Sequence, residues 1–316
     1  MKTHHICIIG GSGFVGRHLA ARLARDGHRL RVLTRRREPH RDLLILPTLE
    51  LIECNVHDEE ALRQAVNGCD VVINLVGILN EKGHNGKGFH RAHVALTEAV
   101  IKACKARGVK RLLHMSALGA DVDGPSYYQR TKGEAEQKVL ASGLAVTCFR
   151  PSVIFGHDDR FFNRFAGLLR LVPLSFPLAG AQARFAPVYV GDVVEAYARA
   201  IDNPATIGHS YALCGPRVYT LQALVRFTAQ QIGVWRWVFP LPGWAAYLQA
   251  RMLELVPGKP LSRDNLNSMK RDNVCEDGFP EVFGIQPTSI EAIVPEYLNP
   301  RQGRASYTAY RREARR

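Results

Sequence analysis

Cys7-Ile8-Ile9-Gly10-Gly11-Ser12-Gly13-Phe14-Val15-Gly16-Arg17 decides how this chain folds. A short β-branched strand runs into glycines at positions 10, 13 and 16, and an apolar-patterned helical segment follows. Gly10 lets the chain turn sharply off the strand. Gly13 lacks a Cβ and leaves the amides that open the helix accessible to a pyrophosphate, and Gly16 lets that helix pack closely on the sheet. The spacing is Gly-x-x-Gly-x-x-Gly rather than Gly-x-Gly-x-x-Gly. Its weight comes from its place at the end of a first strand beginning near His5. A glycine-rich strand-to-helix turn with no ligand is the alternative.

Outward from this turn, strands are expected at 30–34, 49–53, 70–79, 111–116 and 144–149, with helices at 14–25, 58–66, 89–106 and 127–141. The stretch 70–79 is almost continuously apolar, as a parallel strand covered on both faces should be. Strand and helix in strict turn predict an α/β fold, a Rossmann-type doubly wound parallel sheet with ligand outside the carboxyl ends of its strands. Beyond Arg150-Pro151 the rhythm breaks at Pro173, Pro177 and Pro187, and from Trp235 the chain is rich in aromatics and proline. The expected division is a dinucleotide-binding domain over 1–156 with 184–213 returning to it, a small C-terminal lobe from 157–183 and 214–300, and a basic tail over 301–316.

With 316 residues, 46% of them hydrophobic, the chain is long enough to bury a large core. The N-terminus leads straight into the first strand, which leaves no room for a signal peptide, and no apolar run reaches membrane-spanning length. Seven scattered cysteines, never in Cys-x-x-Cys spacing, read as free core thiols in a reducing cytoplasm. Twelve histidines show no ligand spacing beside a carboxylate, so no metal is expected. The formal charge of +13 concentrates in Arg35-Arg36-Arg37 and in a tail holding six arginines against Glu313. No nucleic-acid-reading motif accompanies it. An anionic membrane surface or an acidic protein partner suits the charge better.

Three places carry chemistry. After the second strand, where an acid would hold a ribose 2′-hydroxyl, stands Thr34-Arg35-Arg36-Arg37, whose guanidinium forks suit a 2′-phosphate. That favours NADP(H), with NAD(H) possible, and a solvated basic turn is the alternative. Tyr128 and Lys132 lie four residues apart, hence on one helical face, where an ammonium beside a phenol favours proton exchange with a carbonyl near neutral pH. All three tryptophans, Trp235, Trp237 and Trp244, fall within ten residues beside Arg236, Arg251 and Lys259. Such a cluster suits a water–lipid boundary, and a buried core for the second lobe is the alternative. His157-Asp158-Asp159 reads as a solvated turn, and His90 and His93 as packing or surface residues of the long helix.

In order, Gly10-Gly11-Ser12-Gly13-Phe14-Val15-Gly16, Asn74-Leu75-Val76-Gly77, Ser116, Tyr128 with Lys132, Arg150-Pro151-Ser152-Val153-Ile154-Phe155-Gly156 and Pro187-Val188-Tyr189-Val190-Gly191-Asp192-Val193 resemble the extended and atypical short-chain dehydrogenase/reductase superfamily over about two-thirds of the chain. The resemblance implies that Gly10, Gly13, Phe14, Val15 and Gly16 hold the pyrophosphate, Arg35 the adenosine phosphate, Asn55 and Val56 the adenine, and Lys132 the nicotinamide ribose, with Asn74, Val76 and Gly77 lining the same pocket. Catalysis would fall to Tyr128 and Lys132, with Ser116 either substituting for the third catalytic hydroxyl or serving as a buried structural one. Two positions depart from the pattern. Ala117 stands where a carbonyl-orienting hydroxyl usually follows the strand, and Asn55 replaces the usual acid beside the adenine.

The segments 261–274 and 283–293 are similar to bacterial relatives of the NADPH-binding accessory subunit of respiratory complex I, in a subfamily that includes quinone-biosynthesis proteins. This similarity implies a tightly held NADP(H), a respiratory or quinone-biosynthesis protein partner and a peripheral place on the inner membrane. The leading expectation is an accessory or assembly factor with weak or no turnover. The others are a working oxidoreductase, epimerase or dehydratase acting through Tyr128 and Lys132, and a sensor of the NADP(H) ratio.

Overall fold

The computed structural model describes residues 2–299; the arginine-rich tail over 301–316 lies outside the described residues. Six strands, β1 (His5–Ile9), β2 (Arg29–Thr34), β3 (Leu49–Glu53), β4 (Val71–Asn74), β5 (Arg111–Met115) and β6 (Ala145–Pro151), join a later strand, His209–Leu213, in one seven-stranded sheet. Every pairing is parallel, and the order is His209–Leu213, β6, β5, β4, β1, β2, β3. The order reverses between β1 and β4. A crevice for ligand therefore opens beyond the carboxyl ends of those two strands, where Gly10 and the residues after Asn74 lie.

Helices α1 (Phe14–Arg25), α2 (Glu59–Ala65), α3 (Lys87–His90), α4 (Leu96–Ala106) and α5 (Tyr127–Leu140) connect these strands. Side chains start two of them. Asp58 accepts from the amides of Glu60 and Ala61 at α2, and Ser126 from that of Gln129 at α5. The central strands are buried on both faces, so Ile6, Cys7, Ile8 and Ile9 of β1 are all fully enclosed. One core layer sets Cys7, Val72, Leu112 and Val146 of the sheet against Leu62, Val100 and Val139 of the helices.

Strand β4 ends at Asn74, well short of the expected 79. Its apolar run continues as loop because side chains take over the backbone amides: Asn74 Oδ1 accepts from Val76 N and His93 Nε2 from Ile78 N. Between α3 and α4 the helix passes through a π-helical turn, Arg91–Ala95.

The chain forms two units. One gathers residues up to 151 with Val190–Leu213 and Phe279–Ile285; the other holds Ser152–Tyr189, Cys214–Gly278 and the described residues from Gln286. The sequence divides the chain differently, placing 279–285 with the second lobe and 152–156 and 184–189 with the first. In the second unit, phenylalanines build the core, Phe155, Phe162, Phe176 and Phe185 packing with helices Phe162–Leu171 and Leu221–Gln231. The tryptophans take no part in it: Trp235, Trp237 and Trp244 are 74%, 61% and 75% exposed.

Two of the seven cysteines depart from the free-thiol expectation, since Cys214 and Cys275 form a disulfide. The backbone brings them together, because Gly215 N donates to Ala186 O and Ala186 N to Asn273 O. The other five are buried thiols. Among the described residues, no helix is long and apolar enough to cross a membrane.

Candidate dinucleotide site

Gly10 adopts φ +80°, a left-handed conformation that side chains resist, and this folds the chain off β1 toward α1. Gly13 N donates to Gly10 O at 3.0 Å and closes the turn. Gly16 has a different task from the one expected. A Cβ at Gly16 would lie 2.4 Å from Gly11 Cα and 2.6 Å from Gly10 O, so Gly16 lets α1 pack on the turn rather than on the sheet. Gly11 is the one that meets the sheet, since its Cβ would sit 2.9 Å from Val32 and 3.1 Å from Ile8.

Helix α1 starts at Phe14 and Val15 with no capping side chain and no acid in its first turn. Its positive end therefore remains open to an anion, and these residues fit a dinucleotide pyrophosphate. Phe14 stands edge-on to His18. On the far side of Gly10, Val76 Cγ2 and the Leu75 backbone lie 3.2–3.3 Å from where a Cβ would be, so a side chain there would be crowded as well as strained.

At the adenosine end, Arg35 is exposed just after β2. Thr34 Oγ1 donates to Arg36 O and holds this basic turn in shape. Burial, helped by the charges of Arg91 and Arg35, lowers the pKa of His57. Glu53 accepts from Arg37 N at the end of β3, while Glu38 pairs with Arg41 and Asp42 with Arg17. Asn55 is exposed and accepts from His57 N, and Val56 packs partly into the core.

The nicotinamide end is buried and polar. Lys132 of α5 is only 3% exposed, and its Nζ donates to Met115 O at 2.8 Å and reaches Val76 O at 3.5 Å. Gly77 makes this possible, because a Cβ there would press on Nζ at 3.1 Å. Burial lowers Lys132 to about 8, with Glu136 pulling the other way. Asn74 brings its amide nitrogen to 3.3 Å from His114 Nδ1. Ser116 Oγ is buried and has no hydrogen-bond partner among the described residues, and Ala117 beside it is buried too.

Tyr128 packs edge-on against Phe89 and His93. Here the electrostatics run against the sequence expectation, since burial pushes the phenol up to about 12.

The structure thus brings Gly10, Val76, Gly77 and Lys132 into one contiguous strip and places Arg35, Asn55 and Val56 at the ends of β2 and β3. Sequence reasoning missed His93 as a buried strut. Its Nε2 accepts from Ile78 N at 3.1 Å and its Nδ1 lies 2.9 Å from Thr131 Oγ1. Thr131 already donates to Tyr127 O, so the imidazole proton sits on Nδ1. Burial and the Lys132 charge hold His93 neutral, its pKa near 2. The signal was weak, since nothing in the spacing along 91–95 shows which partners this ring meets. Asp159, read as part of a solvated turn, is 3% exposed. Its carboxylate accepts from the amides of Gly156, Phe161 and Asn163 and from the Tyr297 hydroxyl, so it knots the second unit together. Among the described residues, no cluster of three metal-ligating side chains occurs.

A doubly wound sheet in this order, with a glycine turn feeding an open helix end and a Tyr–Lys pair on α5, defines a nucleotide-binding protein of the short-chain dehydrogenase/reductase type. The NAD dependent epimerase/dehydratase family matches residues 6–214, and the chain belongs to it. It is 30% identical over 292 residues to the rat mitochondrial NADH dehydrogenase [ubiquinone] 1 alpha subcomplex subunit 9, covering 90% of this chain and 77% of that one. It is 32% identical over 192 residues to the ceramide reductase of Caulobacter vibrioides, covering 59% and 57%. Among solved structures, that of gox2253 shares the fold with a TM-score of 0.73 at 22% identity, over 94% of this chain and 97% of that one.

Proposed function

We propose that this protein holds NADP(H) tightly and serves as an accessory or assembly factor of respiratory or quinone metabolism at the inner membrane, with little turnover. The observation that carries the cofactor choice is the uncapped, acid-free start of α1 followed across the sheet by the exposed Arg35 turn. A pyrophosphate suits the first and a 2′-phosphate the second. The NAD dependent family and the complex I relative support the role. Ala117 in place of a carbonyl-orienting hydroxyl, and a Tyr128 phenol raised by burial, support weak chemistry. When bound, the dinucleotide would supply hydride chemistry. The chain's own contributions would be to bind the phosphates through Gly13, Phe14, Val15 and Arg35, and to orient the ribose through Lys132. Calorimetric titration should give tighter binding of NADPH than of NADH, and Arg35→Asp should shrink that gap by about tenfold, as expected for losing a charge-assisted phosphate contact. Equal affinities in the parent protein overturn the cofactor choice.

A second reading, a reductase of a membrane-resident carbonyl, draws on the likeness to ceramide reductase. A screen of long-chain keto-lipids with NADPH separates the two readings. Turnover near the enzyme median of ~10 per second, abolished by Tyr128→Phe, favours the reductase.

A further inference from the structure

Helix Gly243–Leu253 is inside out. Of its residues only Ala246 and Ala250 are buried, while Trp244, Tyr247, Leu248 and Met252 stand in solvent, followed by Leu255 at 87% exposure. Gln249 Nε2 donates to Pro177 O and fixes this helix to the parallel strand pair Trp237–Pro240 and Ser175–Leu178. Trp237 N donates to Leu174 O, and Arg236 Nε to Leu169 O at the end of helix Phe162–Leu171. These bonds knit the helix, the strand pair and the preceding turn into one surface, to which Leu171 and Leu174 add two further exposed leucines. A monomer in water seldom exposes this many large apolar side chains on neighbouring elements, which points to an occupant for this face.

Charge identifies the occupant. Across 160–175 and 232–263 the chain has Arg160, Arg164, Arg170, Arg236, Arg251, Lys259 and Arg263 against one acid, Glu254. Glu254 is buried and already taken by Arg263. A second copy would set this basic face against itself, and like charges across an interface are repulsive. Tryptophans with arginines around leucines match the boundary of a bilayer bearing anionic headgroups, where an amphipathic helix lies in the plane of the surface. We propose that this face of the second unit docks the protein on an anionic lipid bilayer, with Trp235, Trp237, Trp244, Leu248, Met252 and Leu255 entering the headgroup boundary. The inference deepens the membrane location proposed above.

The test is co-sedimentation of the full chain with vesicles of phosphatidylcholine alone and of equal parts phosphatidylcholine and phosphatidylglycerol, at low and high salt, with tryptophan emission as a second readout. The parent should bind the anionic vesicles, with blue-shifted emission, and salt should weaken binding without abolishing it. Trp237→Ala with Trp244→Ala and Leu255→Gln should lower partitioning about tenfold or more. Neutralising the tail, Arg311→Gln with Arg312→Gln, Arg315→Gln and Arg316→Gln, should reduce the salt-sensitive part alone. Parent protein that stays in the supernatant with anionic vesicles at low salt overturns the proposal, and so does a triple variant that binds as well as the parent. Self-association without vesicle binding overturns it in favour of a second copy, and capture only by a membrane stripped of lipid access overturns it in favour of a protein partner. NADPH titration of the same samples keeps the outcomes separate: vesicle binding without NADPH binding defeats the cofactor reading and leaves this one standing.

Discussion

At the scale of single residues, Lys132 determines how the candidate site should respond to pH. Its pKa in the free protein, about 8, lies below the ordinary 10.5 because the ammonium is buried. Between those values the unfolded chain keeps a proton that the folded protein has released. Stability should therefore rise with pH across that window and gain nothing below it. Cofactor binding should move the other way. If the ammonium donates to the ribose, NADPH affinity should be flat below about pH 8 and fall by about tenfold per pH unit above it. Lys132→Met should weaken NADPH binding, remove this pH dependence and raise stability at neutral pH by removing a buried charge. Calorimetry across pH reads the first two effects and urea unfolding the third; parallel pH profiles in parent and variant defeat the argument. Tyr128→Phe should leave NADPH affinity nearly unchanged, because that phenol is expected to face substrate. Most of these positions were legible in the sequence, since a glycine turn and a Tyr–Lys pair announce themselves by spacing. His93 was not. Its role depends on its ring nitrogens meeting Ile78 N and Thr131 Oγ1, far along the chain, which no propensity along 91–95 encodes.

At the scale of elements, the glycine turn shows how a motif can be read correctly and its mechanics misassigned. The sequence places four glycines, Gly10, Gly11, Gly13 and Gly16, at the strand-to-helix turn, but it cannot say which neighbour each one faces. The structure assigns sheet contact to Gly11 and turn contact to Gly16. In Gly16→Ala the new methyl would meet main chain of the turn rather than a flexible side chain, so α1 must tilt away. The variant should lose about 2–3 kcal/mol, within the range for overpacking a tight site. Gly167, in helix Phe162–Leu171, is a matched contrast, with nothing within 4 Å of its missing Cβ. Gly167→Ala should stabilise by up to about 1 kcal/mol through helix propensity alone. Denaturant midpoints of the two variants check both signs at once. Strand β4 illustrates the opposite limit of sequence reading. Its apolar run continues past Asn74, yet the ladder ends with Leu75 N on Ile9 O, because the Asn74 side chain takes the amide of Val76.

At the scale of the whole molecule, alternation of strand and helix made the sheet legible, because parallel strands and their crossovers repeat with a short period. The second unit had no such rhythm. Its phenylalanine core and exposed tryptophans differ only in which way each faces, and composition does not encode that. Nor did spacing reveal the Cys214–Cys275 pair, whose members are 61 residues apart and meet only because both neighbouring segments bond to Ala186. A crosslink of this span should remove loop-closure entropy from the unfolded chain worth about 4 kcal/mol. Such a bond persists in oxidising surroundings and opens in reducing ones. The remaining cysteines, Cys7, Cys54, Cys69, Cys104 and Cys148, are buried and report only after unfolding. Thiol titration in denaturant should thus find five reactive groups without reductant and seven with it. Cys275→Ser should lower the unfolding free energy of the oxidised protein by up to about 4 kcal/mol and leave that of the reduced protein nearly unchanged. Seven reactive thiols in protein taken directly from cells and blocked during lysis would mean that the chain works with this bond open. In that case the segment carrying Cys275 is held in place by the Asn273 bonds to Ser152 and Ala186 instead.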